Sequence, residues 1–210
     1  MKPPIKIVRN IDGIKYFTEQ QIRMLRASVE KAAEFDQAMG RVTAIREWMV
    51  IDLITSSGMR VAEAANVRCG DLKIGLSESE VFVRCGKGAR SRHIQIPDSL
   101  KQHLTQFLKW KRKRGEVVQN DAHLFVGQRG AWTAQAIQQV VKKHLKAMGL
   151  YERGKSVHSL RHSFAYHFYR RSLDIRALQI LLGHASIQTT QIYTHASKED
   201  IQELIKGIWT

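Results

Sequence analysis

The heptapeptide His158-Ser159-Leu160-Arg161-His162-Ser163-Phe164 sets an imidazole and a guanidinium three residues apart. On a helix that spacing turns His158 and Arg161 the same way, toward one ligand, while Leu160, Phe164 and Phe168 face a core. Arginine offers a fork of N–H donors suited to two phosphate oxygens. Histidine, with an ordinary pKa of about 6.5, accepts or donates a proton near neutrality. His158 and His162 are also four apart, as metal ligands are, but the Glu of an HExxH site is missing and no carboxylate ligand stands nearby. No metal is therefore expected. Alone, a His-x-x-Arg pair is a weak signal, since it occurs more often on a helix surface than in a catalytic site.

Its neighbours change the odds. Upstream stand Ser57-Gly58-Met59-Arg60-Val61-Ala62-Glu63 and Gly86-Lys87-Gly88-Ala89-Arg90-Ser91-Arg92. Downstream runs Leu181-Leu182-Gly183-His184-Ala185-Ser186-Ile187-Gln188-Thr189-Thr190-Gln191-Ile192-Tyr193-Thr194-His195. In order and spacing these segments resemble the catalytic domain of the tyrosine recombinases, the phage integrase and Xer recombinase family. The resemblance covers nearly the whole chain from about residue 17. It implies a site-specific recombinase or integrase that cleaves and rejoins DNA strands through a 3′-phosphotyrosine intermediate. Carried over position by position, it implies that Arg60 and Arg161 clamp the non-bridging oxygens of the scissile phosphate, and that His158 and His184 hydrogen-bond that phosphate and handle protons. Lys87 would protonate the departing 5′ oxygen, and Tyr193 would attack phosphorus. The resemblance further implies no metal or nucleotide cofactor, double-stranded DNA as partner, and a homotetramer on DNA assembled from a monomer or weak oligomer. Accessory DNA-bending proteins would fit such an assembly.

Elementary chemistry agrees with this allocation. A diester transition state gains negative charge on oxygen, and two Arg and two His donors can neutralise it without a metal; losing one such donor typically costs roughly 2.7 to 4 kcal/mol of barrier. Tyrosine, with a pKa of about 10, is only about 0.1% ionised at pH 7, so a base or a strongly cationic site must help it. Lys87, flanked by Arg84, Arg90 and Arg92, should lose its proton more readily than a free lysine, which suits a general acid.

Each assignment has a plainer alternative. Arg60 could be a surface charge at a helix start, although Glu63 is better placed to orient it than merely to neutralise it. Lys87, between two glycines, could be a solvated turn residue; Ala89-Arg90 stands where the family often has a residue followed by Lys, leaving Lys87 the better candidate. His195 reads as a cap or surface residue rather than a proton acceptor. His162 either supports the site from behind or is simply buried. Of the other tyrosines, Tyr166 and Tyr169 lie on the helix after the His-x-x-Arg pair, and one should be packed, whereas Tyr193 follows a short polar stretch, as a mobile nucleophile would. Arg84, Arg90 and Arg92 are DNA-contact candidates, as are Lys111, Arg112, Lys113 and Arg114 at a helix end, where positive charge also suits the macrodipole.

These residues must be positioned by a mostly helical chain. Thr18 with Gln21 reads as a capping box opening a helix to about residue 35. A second helix, near 41 to 55, is apolar on most sides (Val42, Ile45, Trp48, Met49, Leu53) and so should be central, ending at Ser56-Ser57-Gly58. A short helix near 60 to 66 precedes three strand-like runs at 71–74, 81–85 and 93–96, an antiparallel sheet turned by Ser77-Glu78-Ser79 and Gly86-Lys87-Gly88. Further helices are expected near 98–113, 133–148, 158–171, 174–182 and 198–207. The last would dock on a neighbouring protomer, as in the family, or on its own domain. The fold class is thus α+β, mainly α, with a small three-stranded sheet.

Net charge independently favours a polyanion: 34 Lys and Arg against 19 Asp and Glu give +15 and a pI near 10.1. Charge alone would equally suit any basic protein. With no bilayer-length apolar run and no secretory leader, a cytoplasmic, nucleoid-associated protein is expected. Cys69 and Cys85 read as reduced thiols. Residues 1–16 read as a basic arm and 17–210 as the catalytic domain, without room for the helical core-binding domain that most of the family carries. Two classes stay open: an active recombinase, with type IB topoisomerase-like exchange as a variant, and a truncated or non-catalytic DNA-binding derivative. Retention of all six candidate side chains favours the first.

Overall fold

The structure, a computed structural model, describes residues 15–84, 91–153, 155–184 and 186–194. Helix α1 (Glu19–Ala38) starts at the expected capping box: Thr18 Oγ1 accepts from the Gln21 N–H, and Gln21 Oε1 accepts from the Thr18 N–H. Its stripe of Leu25, Val29 and Ala33 packs on α2 (Thr43–Ser57). Eleven of the fifteen α2 residues are buried, which is what a helix apolar on most sides requires. The two carboxylates that α2 carries inward are both paired. Asp52 accepts from Arg26 and lies 2.8 Å from His103, while Glu47 accepts from Lys143 and lies 2.7 Å from His144.

Gly58 ends α2 in the left-handed conformation, φ +65°, and an added Cβ there would lie 2.2 Å from the Phe164 ring. The chain thereby turns straight into α3 (Val61–Asn66). The sheet has order β1 (Leu72–Lys73), β2 (Glu80–Val83), β3 (Arg92–Gln95), all antiparallel. β1 is shorter than its sequence suggests because Asp71 belongs to a 3₁₀ turn, Cys69–Asp71, where its carboxylate accepts the Arg68 N–H and binds Arg84.

Helices α4 (Asp98–Lys113), α5 (Ala134–Ala147), α6 (Val157–Ser172) and α7 (Ile175–Leu182) fall within a residue or two of expectation. Three elements do not show in the sequence pattern: the 3₁₀ turn, a two-residue hairpin of β4 (Val126–Gly127) and β5 (Gly130–Ala131), and α8 (Gln188–Gln191). All are too short for a periodicity to register. The helix expected near 198–207 and Cys85 lie outside the described residues. Among the described residues no helix is long and apolar enough to cross a membrane. A large core built on α2 is joined by a second cluster of Ala165, Leu178, Leu182 and Tyr193, with Phe164, Phe168, Tyr169 and Ile192 packed against it.

Candidate active site

Three chain turns converge on the second cluster. The first is the start of α3, where Arg60 is the N-cap residue. Glu63 Oε2 accepts the Arg60 N–H at 2.7 Å and Oε1 accepts from the Arg60 guanidinium at 2.8 Å. Arg92, arriving on β3, donates to both Glu63 oxygens at 2.9 Å, a bidentate pair. Burial pushes the Glu63 carboxyl up, but the hydrogen bonds and charges of Arg92 and Arg60 outweigh it and hold the group at about 2. Glu63 is thus a fixed anion that orients Arg60, as its spacing suggests.

The second turn is α6. Ser156 caps it, and Arg161, one turn in, points inward. Its guanidinium donates to the Gly58 carbonyl at 2.8 Å, to the Leu182 carbonyl at 2.9 Å and to His184 Nε2 at 3.1 Å. Arg161 is therefore locked to the ends of α2 and α7. Burial, and then the Arg60 charge, lower it to about 10, so it stays a cation at neutral pH.

Third comes the α7–α8 turn. Gly183 caps α7 at φ +65° with Arg92 packed where a Cβ would be, so this glycine is what lets β3 close on the turn. A guanidinium only donates, so His184 Nε2 accepts from Arg161, and His184 Nδ1–H donates to the buried Thr190 hydroxyl at 3.0 Å. Burial and the charges of Arg161, Arg60 and Arg92 lower His184 to about 4, leaving it neutral at pH 7. Tyr193 ends the segment, only 4% exposed, its hydroxyl 2.7 Å from His162 Nδ1. Burial raises the phenol's pKa, partly offset by Arg161 and Arg60.

A phenol, two guanidiniums and an imidazole thus lie within electrostatic range of one another, with Glu63 engaged by Arg60 and Arg92. The phage integrase family model matches residues 15–200. This chain belongs to the phage integrase family. Tyrosine recombinase XerA of Pyrococcus horikoshii is 34% identical over 166 residues, which cover 77% of this chain and 54% of that protein. XerA of Pyrococcus furiosus is 34% identical over 194 residues, 91% of this chain and 61% of that one. The crystal structure of XerA recombinase matches with a TM-score of 0.74 at 28% identity, over 100% of this chain and 68% of the other. XerH recombinase bound to its difH substrate matches at 0.71 and 26%, over 93% and 55%. The chain spans little more than half the length of these curated relatives.

Of the integrase-family positions singled out in the sequence, Arg60, Arg161, His184 and Tyr193 are brought together. His158 is exposed in the first turn of α6, with its backbone N–H on Ser156 Oγ. Lys87 and Arg90 fall between β2 and β3 in sequence, outside the described residues, as does His195. Two expected DNA contacts are corrected. Arg92 is committed to Glu63 and the Leu181 carbonyl. Lys111 is 1% exposed and donates to Glu116 at 2.9 Å, because residue 111 continues the buried stripe of Leu104, Phe107 and Leu108. Arg84 is exposed and donates to Asp71. Arg112, Lys113 and Arg114 are exposed at the end of α4.

Tyr193 is buried despite its polar approach; Thr190 is buried and Ile192 packs against the second cluster with it. Of the other candidate tyrosines, Tyr169 packs on the second cluster and Tyr166 stacks on Tyr16. Sequence reasoning leaves His162 open and passes over Thr190. Neither has a local signature, since each acts on a residue brought to it by the fold. Among the described residues no group of three or more His, Cys, Asp and Glu is placed to hold a metal.

Proposed function

We propose that this chain is the catalytic domain of a site-specific DNA recombinase, cleaving and rejoining strands through a covalent link between Tyr193 and a DNA 3′ phosphate. The observation that carries the reading is the buried Tyr193 phenol lying within the electrostatic reach of both Arg60 and Arg161. A buried phenol serves no packing need that Phe would not meet, and Arg161 beside it is a buried cation held by two carbonyls and His184, whose burial an arriving anion would offset.

In this reading Arg60, held by Glu63, and Arg161, held by two carbonyls, grip the non-bridging oxygens of the scissile phosphate. His158 adds a hydrogen bond as charge develops, His184 holds Arg161 in place through Nε2, and Lys87 protonates the departing 5′ oxygen. Fixed donors of this kind stabilise the transition state without reorganising, which is where most of the rate arises. No metal or nucleotide is required, because the phosphotyrosine bond conserves the energy of the bond it replaces. Double-stranded DNA is the partner: the net charge of +15 favours it, and related XerH is solved with its DNA substrate. Arg112, Lys113 and Arg114 are offered as backbone contacts. Four protomers on two sites, helped by accessory bending proteins, would complete an exchange, in the cytoplasm and on the nucleoid.

Nicked suicide duplexes cut from the protein's own genomic flanks test the reading. Wild type is expected to form a covalent protein–DNA adduct that denaturant does not dissolve. DNA binding with no adduct on any flank would instead indicate a binding derivative.

A further inference from the structure

Tyr193 needs a proton acceptor, and among the described residues the site holds three imidazoles that could serve. His184 is spoken for: Nε2 accepts from Arg161 and Nδ1–H donates to Thr190. His158 is exposed at the start of α6, with no side-chain hydrogen bond to the phenol among the described residues. His162 alone touches the phenol oxygen, at 2.7 Å through Nδ1, with ring centroids 5.9 Å apart. The phenol ring is packed among Ala165, Leu178 and Leu182, and the Tyr193 backbone N–H donates to the Thr190 carbonyl at 3.0 Å.

We propose that His162 is a catalytic residue: its Nδ1 takes the phenolic proton as Tyr193 attacks phosphorus, and returns it when the strand is rejoined. The proposal rests on the strand-cleavage reading above. In the forward step the Tyr193 O–H bond breaks, its proton moves to Nδ1 and the phenolic oxygen bonds to phosphorus. The P–O5′ bond breaks, and its electron pair leaves on the 5′ oxygen, which takes a proton from the acid assigned to Lys87. Rejoining reverses each transfer.

The direction of the existing hydrogen bond agrees. Burial, and then the charges of His158 and Arg161 on its own helix, lower the His162 pKa, so the ring is neutral at pH 7. Burial holds the phenol protonated. The O–H therefore donates, Nδ1 accepts, and the ring proton sits on Nε2. Among the described residues the titratable and charged groups facing His162 are His158 and Arg161 on α6, and Tyr193 and His184 from the segment after α7. A bound diester brings negative charge to Arg161 and so relieves the repulsion that keeps His162 weakly basic. Basicity thus rises when substrate arrives, and an idle phenol is not ionised without it.

Adduct formation on the suicide duplex, followed from about pH 5 to about pH 9, tests this in wild type and in His162→Gln, which keeps an acceptor but cannot take a proton. General-base loss typically costs about 10² to 10⁴ in rate. His162→Gln is expected to bind DNA normally, to cleave at least about 100-fold more slowly, and to lose the acid limb of the wild-type profile. Replacing Tyr193 by the more acidic 3-fluorotyrosine should restore the variant far more than it helps wild type. If wild type forms no adduct, the cleavage reading itself has failed. If wild type cleaves and His162→Gln matches it, or is slow with an unchanged pH profile and no gain from fluorotyrosine, His162 is not the acceptor. Should His162→Gln not fold, ¹⁵N-histidine spectra of wild type and Tyr193→Phe decide: a proton found on Nδ1 of wild type at pH 7 overturns the proposal, and an unprotonated Nδ1 whose signal shifts in Tyr193→Phe supports it.

Discussion

Glu63→Gln probes the electrostatic frame of the site with little change of shape, because Gln fills the same space while removing the charge and turning one accepting oxygen into an amide donor. The carboxylate receives two hydrogen bonds from Arg92 and two from Arg60, and its side chain is 14% exposed. Its pKa falls from 4.5 to about 2. At about 1.4 kcal/mol per tenfold, that depression contributes about 3 kcal/mol to stability. A lowered pKa stabilises fully above the unfolded value and is lost as pH falls through the folded one. Glu63→Gln should therefore lower the unfolding free energy by about 3 kcal/mol at pH 7 but by only about 1 kcal/mol at pH 3. Urea unfolding followed by tryptophan fluorescence reads both, since Trp48, Trp110 and Trp132 pack against the main core. Equal losses at the two pH values, or none at pH 7, would show that the Arg92–Glu63–Arg60 frame carries no net charge stabilisation.

Other perturbations probe the pieces. Arg161→Ala should cut the rate of adduct formation at least about 100-fold in quenched time courses, because it removes a phosphate donor and leaves the Gly58 and Leu182 carbonyls without it. Thr190→Val should cost about 1 to 3 kcal/mol in thermal unfolding by stranding the His184 Nδ1–H, and should slow cleavage about tenfold by freeing that ring. Lys87→Ala should be slow on ordinary DNA but near wild type on a duplex with a 5′-bridging sulfur, a leaving group that needs no acid; slowness on both would remove Lys87 from the acid role.

The sequence made the frame of this fold legible where physics is local or periodic. The Thr18–Gln21 capping box, the all-round apolarity of α2 and the stripe of α4 each predict an element that forms. The site was legible as a set of motifs whose spacing is meaningful. What stayed hidden depends on long-range closure. Arg92 looks like one basic residue among several near a turn, yet β3 delivers it to Glu63, where both carboxylate oxygens accept from it. Lys111 sits in a run of basic residues, and only the helical phase of Leu104, Phe107 and Leu108 shows that it turns inward. The approach to Tyr193 is polar in sequence, but Thr190 spends its hydroxyl on His184 and the phenol is buried.

The central claim is that Tyr193 carries the DNA. Wild-type protein trapped on a suicide duplex, digested and mapped by mass spectrometry, should show the nucleotide remnant on the peptide containing Tyr193, with no adduct in Tyr193→Phe. A remnant on Tyr166 or Tyr169, or an adduct that survives in Tyr193→Phe, would contradict it.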